Sequence, residues 1–269
     1  MKRVLVLGPH SYIGGQFRQY LAGFPGEYET AALSVRTDAW READFSRYDS
    51  VLYAAGIAHR RERKEDAPLY ERVNCALAVE TAQKARAAGV KRYIYLSSAS
   101  VYGLTEGVIR RDTPPAPKSL YGRSKLRAER ALEALHSPGF QVILVRPPMV
   151  YGPGCPGNYR ALEKLAAVLP VFADWPNRRS VISADNLSRF LRELADGGEG
   201  GIYFPQDPEY GCTSRMVREL AAARGRELPL ARWLNPLVAL LRLTPKGRKA
   251  FGTLIYEGEP LIERFPQET

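Results

Sequence analysis

Arg3-Val4-Leu5-Val6-Leu7 runs directly into Gly8-Pro9-His10-Ser11-Tyr12-Ile13-Gly14-Gly15, and a helical pattern follows from Tyr12 to Ala22. The uninterrupted apolar run reads as a strand covered on both faces. Glycine lets the backbone come close to a ligand, and a helix start offers free N–H groups and the positive end of its dipole. A strand, a glycine-rich turn and a helix N-terminus, in that order, are how a parallel α/β fold holds a pyrophosphate. The spacing is G-x-x-S-x-x-G, with Ser11 at the loop centre, where G-x-G-x-x-G is the commoner form. A tight strand-to-helix turn would also select glycine. The place of the loop, at the head of an alternating pattern, favours the phosphate reading.

Outward from this loop, further strands are predicted at Tyr28–Val35, Val51–Ala55, Tyr93–Ser97 and Val142–Arg146. A long helix is expected from Leu69 to Ala88, stopped at Gly89, and another from Leu120 to Leu135 after Pro114-Pro115-Ala116-Pro117. Short apolar strands separated by helices predict an α/β fold, a Rossmann-like, doubly wound parallel sheet. Residues 1–150 form its dinucleotide-binding domain on this reading. After Pro147 the composition shifts to Pro, Gly and Asn, with helices expected at Tyr159–Val168, Asp185–Ala195 and Thr213–Arg224. Residues 151–269 read as a small C-terminal substrate lobe, partly interleaved with the sheet. Trp233–Leu243 is apolar with basic flanks; a helix packed on the body is the expectation, and membrane contact the competing reading.

The chain has 269 residues, 45% of them hydrophobic and 25% charged, which suits one large domain with a small cap. Cys75, Cys155 and Cys212 lack metal-ligand spacing and leave one over from any pairing, so a reducing, cytoplasmic setting and no metal are expected. The N-terminus has no signal-peptide pattern, and no apolar stretch approaches the ~20 residues a membrane span needs. The net charge of +10 could serve anionic small molecules, a membrane surface or nucleic acid. Its densest cluster, Arg60-Arg61-Glu62-Arg63-Lys64, has no interleaved aromatics to stack on bases, which argues against nucleic acid and for a solvated basic face.

The fourth strand ends in Leu96-Ser97-Ser98-Ala99-Ser100-Val101-Tyr102-Gly103, and Tyr121-Gly122-Arg123-Ser124-Lys125 opens the next helix. Tyr121 and Lys125 stand at i and i+4, on one helix face. A free phenol, with a pKa near ~10, is a poor base at neutral pH, and a neighbouring cation favours the phenolate. A serine hydroxyl from the strand end can bond the reacting oxygen. The second strand ends Leu33-Ser34-Val35-Arg36, without the carboxylate that would accept from an adenosine 2′-hydroxyl; an arginine there suits a 2′-phosphate.

This ordered set resembles the extended short-chain dehydrogenase/reductases, in their NAD-dependent epimerase/dehydratase branch that includes UDP-glucose 4-epimerases. The motifs that carry the likeness are residues 8–15, Ala54-Ala55-Gly56, Val73-Asn74, 96–103, 121–125, 146–154 and 178–187. The resemblance implies an NAD(P)-dependent enzyme acting on a nucleotide sugar, as in polysaccharide biosynthesis. Tyr121 would be the general acid/base, Lys125 its partner and the holder of the nicotinamide ribose, and Ser98 the serine that bonds the sugar oxygen, with Ser100 beside it. Gly8, Ser11, Tyr12, Ile13 and Gly14 would hold the coenzyme diphosphate, with the Ser11 hydroxyl near a phosphate, and Ser34 and Arg36 the adenosine ribose. Ala54, Ala55, Gly56, Asn74 and Pro147 would line the rest of the coenzyme site. Arg179, beside Arg178, would grip the nucleotide diphosphate of the substrate. The coenzyme is NAD or NADP, with Ser34 and Arg36 leaning to NADP. Sugar 4,6-dehydratases of this branch carry an Asp-Glu pair where this chain has Ala99 and Ser100, so that activity is excluded on this reading. A C4 epimerase working through a 4-keto sugar, a 4-keto-sugar reductase and a non-catalytic NAD(P)-binding sensor or scaffold remain, and a homodimer stays open. A dehydrogenase of small hydrophobic alcohols is disfavoured by Arg178 and Arg179.

Overall fold

Strand β1 (Lys2–Leu7) sends Val4 and Val6 to one face and Leu5 and Leu7 to the other, and all four are buried. This two-sided burial recurs along the sheet of the computed structural model, which describes residues 1–58, 62–258 and 261–265. The other strands are β2 (Tyr28–Leu33), β3 (Ser50–Tyr53), β4 (Arg92–Leu96), β5 (Gln141–Val145), β6 (Gly201–Phe204) and β7 (Leu261–Arg264). They form one seven-stranded sheet in the order β7-β6-β5-β4-β3-β1-β2. All neighbours are parallel except β7, which runs antiparallel to β6. The sheet is the doubly wound α/β sheet read from the sequence, and it recruits β6 and β7 from the C-terminal half.

Helices cover both faces. On one, Phe17 and Leu21 of α1 (Tyr12–Ala22) join Leu187, Leu191 and Leu194 of the helix Ala184–Gly197 against Val4, Val6, Leu52, Ile94 and Ile143. On the other face lie α2 (Ala67–Glu71), α3 (Leu77–Ala87) and α4 (Leu120–Glu133). There Ala78, Ala82, Ala85, Ala128 and Leu132 meet Leu5, Leu7, Tyr53, Tyr93, Tyr95 and Leu144. Small alanines on the helices make room for tyrosines on the strands, a volume match that keeps the layer dense.

The sequence predicts one continuous helix over Leu69–Ala88. The structure instead places a π-helical turn, Arg72–Ala76, between α2 and α3. Hydroxyls from the sheet meet this turn: Tyr53 donates to the Val73 carbonyl and Tyr95 to the Asn74 carbonyl, each at 2.6 Å. Carbonyls released from the regular ladder are thereby satisfied, as buried backbone groups must be.

After β5 come α5 (Asn158–Val168), α6 (Ala184–Gly197) and α7 (Thr213–Ala222). Leu162 and Ala166 of α5 pack on Met216, Val217 and Ala221 of α7, with Phe172, Val181 and Leu228, in a separate apolar cluster. Two short helices follow, α8 (Asn235–Leu241) and α9 (Pro245–Phe251). The expected helix over Trp233–Leu243 is present and meets the body on one side, where Asn235 Nδ2 donates to the Asp174 carbonyl at 3.0 Å and Arg242 pairs with Glu106 at 2.7 Å. Val238 is buried, but Trp233, Leu237, Leu240, Leu241 and Leu243 face solvent, because two turns of helix offer only one apolar residue to the lobe beneath. Among the described residues, no helix is long and apolar enough to cross a membrane. Arg60 and Arg61 of the basic cluster lie outside the described residues.

Candidate active site

Gly8 adopts φ +100°, and a Cβ there would stand 2.5 Å from the Ala55 nitrogen. Only glycine lets the loop cross so close to the end of β3. At Gly14 a Cβ would stand 2.7 Å from Ser11 Oγ and 3.0 Å from the Gly8 carbonyl, so the start of α1 presses onto its own loop. The Ser11 hydroxyl is the helix N-cap, accepting from the Gly14 N–H at 3.1 Å. That role explains how a serine substitutes for glycine at the loop centre. The N–H groups of Tyr12 and Ile13 find no acceptor among the described residues. Free donors at a glycine-lined helix start fit the diphosphate of a dinucleotide. The Tyr12 side chain turns away, its hydroxyl donating to the Pro153 carbonyl at 3.1 Å. At the end of β2, Ser34 Oγ accepts from the Arg36 N–H at 3.2 Å, and the Arg36 side chain is exposed.

Beyond the loop, Ala54, Ala55 and Gly56 continue from β3 toward the π turn. Asn74, fully buried, accepts from the Ile57 N–H at 2.8 Å and donates to the Ile57 carbonyl at 3.2 Å and to Ser124 Oγ at 3.0 Å. It ties the segment after β3 to α4. A Cβ on Gly56 would stand 3.6 Å from Lys125 Nζ, which places the lysine beside the segment that follows β3.

Helix α4 starts under several caps. Ser119 Oγ accepts from the Gly122 N–H at 3.0 Å, and the Glu62 carboxylate accepts from the Leu120 and Tyr121 N–H groups at 2.8 and 3.1 Å. A carboxylate at a helix N-terminus also meets the favourable end of the dipole. Sequence reasoning assigned Glu62 to a solvated basic face and missed this role. Gly122 allows a close crossing, since a Cβ there would lie 2.5 Å from the Ser100 carbonyl. The crossing brings Tyr121 beside Ser98, whose hydroxyl opposes, without outweighing, the rise that burial imposes on the phenol's pKa. Ser98 Oγ also accepts from the Ser100 N–H and donates to Ser100 Oγ, both at 3.1 Å. The Pro147 carbonyl accepts from the Ala99 N–H at 3.1 Å, and this fixes the turn against the end of β5.

Tyr121 and Lys125 do converge, but their electrostatics differ from the sequence expectation. Lost hydration dominates at Tyr121 and pushes its pKa up to about 12 despite Ser98. Lys125 is 3% exposed. Its ammonium donates to the Leu96 carbonyl at 2.7 Å and lies 4.5 Å from the Tyr95 ring centre, against 5.9 Å from that of Tyr121. Burial pulls its pKa down to about 7, with Glu129 opposing. The lysine thus spends its charge on a carbonyl and another ring, and burial decides the phenol's protonation. Tyr121 here is a protonated phenol beside a serine hydroxyl, suited to give a proton to a developing alkoxide and to take it back.

Below Lys125, one turn deeper on the same face of α4, Glu129 meets Arg146. The pair is buried and two-pronged, Nε to Oε1 at 3.0 Å and Nη2 to Oε2 at 2.7 Å. Arg146 Nη1 also donates to Tyr102 Oη at 2.7 Å, and its carbonyl accepts from Tyr256 Oη at 2.8 Å. This network was not foreseen; its signals were Glu129 at i+4 from Lys125 and an arginine at the end of an apolar strand.

The two arginines assigned to substrate part company. Arg178 is exposed, stacked 5.7 Å from the Tyr210 ring centre. Arg179 is 9% exposed, and its Nη1 donates at 2.9 Å to the carbonyls of Lys249 and Gly252, capping the C-terminus of α9.

The chain matches the model of the NAD dependent epimerase/dehydratase family over residues 4–182. It is 33% identical over 230 residues to a UDP-glucose 4-epimerase of Vibrio cholerae, covering 80% of this chain and 69% of that protein. Among solved structures it is similar to MoeE5 in complex with UDP-glucose and NAD, at 21% identity and a TM-score of 0.69, over 94% of this chain and 88% of the other. RMD from Pseudomonas aeruginosa complexed with NADPH is equally similar, at 21% identity and a TM-score of 0.69, over 86% and 87%.

Proposed function

The chain belongs to the NAD dependent epimerase/dehydratase family, and from that premise we propose that it is a C4 epimerase of UDP-hexose-type nucleotide sugars, working through a 4-keto sugar. The observation that carries the reading is the convergence of Ser98, Tyr121 and Lys125, with Lys125 beside Gly56 of the segment that follows β3. NAD(P), when bound, supplies the acceptor and donor of hydride. Gly8, Ser11, Tyr12, Ile13 and Gly14 would hold its diphosphate, and Ala54, Ala55, Gly56, Asn74, Lys125 and Pro147 its remaining length. Ser98 and Ser100 orient the reacting sugar hydroxyl, and Tyr121 moves its proton. Residues 151–269 would enclose the sugar, with Arg178 nearer the solvent than the capped Arg179.

No elimination of water is assigned, because neither Ala99 nor Ser100 can act as acid or base at neutral pH. A 4-keto-sugar reductase is the second reading. Ser34 and the exposed Arg36 favour it, since they suit the 2′-phosphate of NADP, which exchanges after each turnover. Tyr121→Phe tests the chemistry. On a panel of nucleotide sugars followed by NMR, turnover falls about 10²–10⁴-fold while coenzyme affinity holds. An unchanged rate overturns the role of Tyr121. Binding of coenzyme with no turnover on any sugar supports the sensor reading instead.

A further inference from the structure

Trp233 is 73% exposed, Leu237 53%, Leu240 62% and Leu241 44%. Their spacing through the turn Arg232–Leu234 and α8 gathers them on one side of the helix, with the buried Val238 at its flank, and Leu243 extends the ridge. A contiguous apolar ridge of this kind marks a contact surface. Its charge setting is equally biased. From Leu228 to Tyr256 the chain has no Asp or Glu, but it carries Arg232, Arg242, Lys246, Arg248 and Lys249. Arg232 pairs with Asp174 at 3.2 Å and Arg242 with Glu106 at 2.7 Å. Lys246 and Lys249 are exposed and form no ion pair among the described residues.

A second copy docking ridge to ridge would bring cations against cations. An anionic bilayer accepts both features at once, apolar side chains at the headgroup–acyl boundary and cations at the phosphates. We propose that the α8–α9 ridge docks this protein on an anionic phospholipid surface. The inference does not rest on the epimerase reading. The ridge is anchored to the lobe beside the site: Arg179 holds the C-terminus of α9, and Trp175 Nε1 donates to the Phe251 carbonyl at 3.0 Å. Docking would therefore fix the orientation of that lobe, as well as of the whole chain, at the bilayer.

The test is co-sedimentation with phosphatidylcholine vesicles, with and without phosphatidylglycerol. The protein is expected to bind the phosphatidylglycerol vesicles and to be released as salt rises. Two double variants, W233A/L240E and K246E/K249E, change only exposed side chains, and thermal melting with coenzyme titration confirms that each is folded. Each is expected to lower vesicle affinity at least about ten-fold. Failure of the unmodified protein to bind phosphatidylglycerol vesicles overturns the proposal. So does equal binding by both variants, which would assign the attraction to net charge alone. A concentration-dependent dimer abolished by W233A/L240E, without vesicle binding, would make a second copy the occupant.

Discussion

Replacing Lys125 with methionine should make the coenzyme-free protein more stable at neutral pH, and the gain should vanish in alkali. The argument starts from burial. Lys125 is 3% exposed, with its ammonium on the Leu96 carbonyl, and its pKa falls from 10.5 to about 7. As pH drops through 10.5, the unfolded chain takes up this proton first, and the folded chain follows only near 7. Between those values the unfolded state binds more protons, so stability falls as pH falls, and the loss is complete below the folded value. At about 1.4 kcal/mol per pH unit, that full loss is roughly 5 kcal/mol. Methionine fills a similar volume without a charge, but it leaves the Leu96 carbonyl unpaired, at a cost of about 1–3 kcal/mol. The net gain at pH 7 is then about 2–4 kcal/mol. The assay is urea unfolding of both proteins, without coenzyme, at intervals from pH 6.5 to 10, inside the window set by the two pKa values. The difference between them should shrink steadily with rising pH. A destabilised variant at pH 7, or a difference that does not change with pH, would refute the claim that Lys125 is held against its hydration. Turnover should be lost in the same variant, so stability and activity move in opposite directions.

Glu129→Gln leaves Arg146 buried without its counter-charge and should cost about 3–5 kcal/mol, read by thermal or urea unfolding. Because Glu129 is the group that raises Lys125, the same variant should move the Lys125 titration further down, read by NMR of the ammonium side chain. Gly8→Ala forces a Cβ to 2.5 Å from a backbone nitrogen at φ +100°, and it should lower stability by about 1–3 kcal/mol and abolish coenzyme binding in a fluorescence titration. Arg36→Ala should weaken NADPH by more than it weakens NADH, by about 1.5–3 kcal/mol, the range of a charge-assisted hydrogen bond; equal losses for both would remove Arg36 from the 2′-phosphate.

The features legible in the sequence are those that depend on neighbours along the chain. Apolar runs such as Val4–Leu7 and Val142–Val145 announce buried strands, and Tyr121 and Lys125 announce a shared helix face. The glycines of the loop announce close backbone approach, and at Gly8 and Gly14 the geometry requires it. What stayed hidden depends on partners distant in sequence. Glu62 caps a helix that begins at Leu120, and Arg146 pairs with Glu129 across the sheet–helix interface. The π turn follows from hydroxyls on β3 and β4, and local periodicity cannot register them. At Ser11 the sequence shows a serine just before a helix, and the structure adds that its hydroxyl caps that helix. The bonds of Arg179 to the Lys249 and Gly252 carbonyls were equally hidden, since these acceptors lie more than 65 residues downstream.

The sheet order has a consequence for how the polypeptide is made. Strands β1 to β5 can pair as soon as residue 145 has left the ribosome, and they form a contiguous block with β2 at one border and β5 at the other. The β5 border, Gln141–Val145, then stands open, with buried-type residues on both sides and unpaired backbone groups along its length. It is covered only when Gly201–Phe204 arrives, and β6 in turn only when Leu261–Arg264 folds back antiparallel. An open apolar border in a nascent chain is a template for pairing with another chain. The interval of synthesis between residues 145 and 201 is therefore when this protein is most exposed to aggregation, and slowing translation within it should lower soluble yield more than slowing it anywhere upstream.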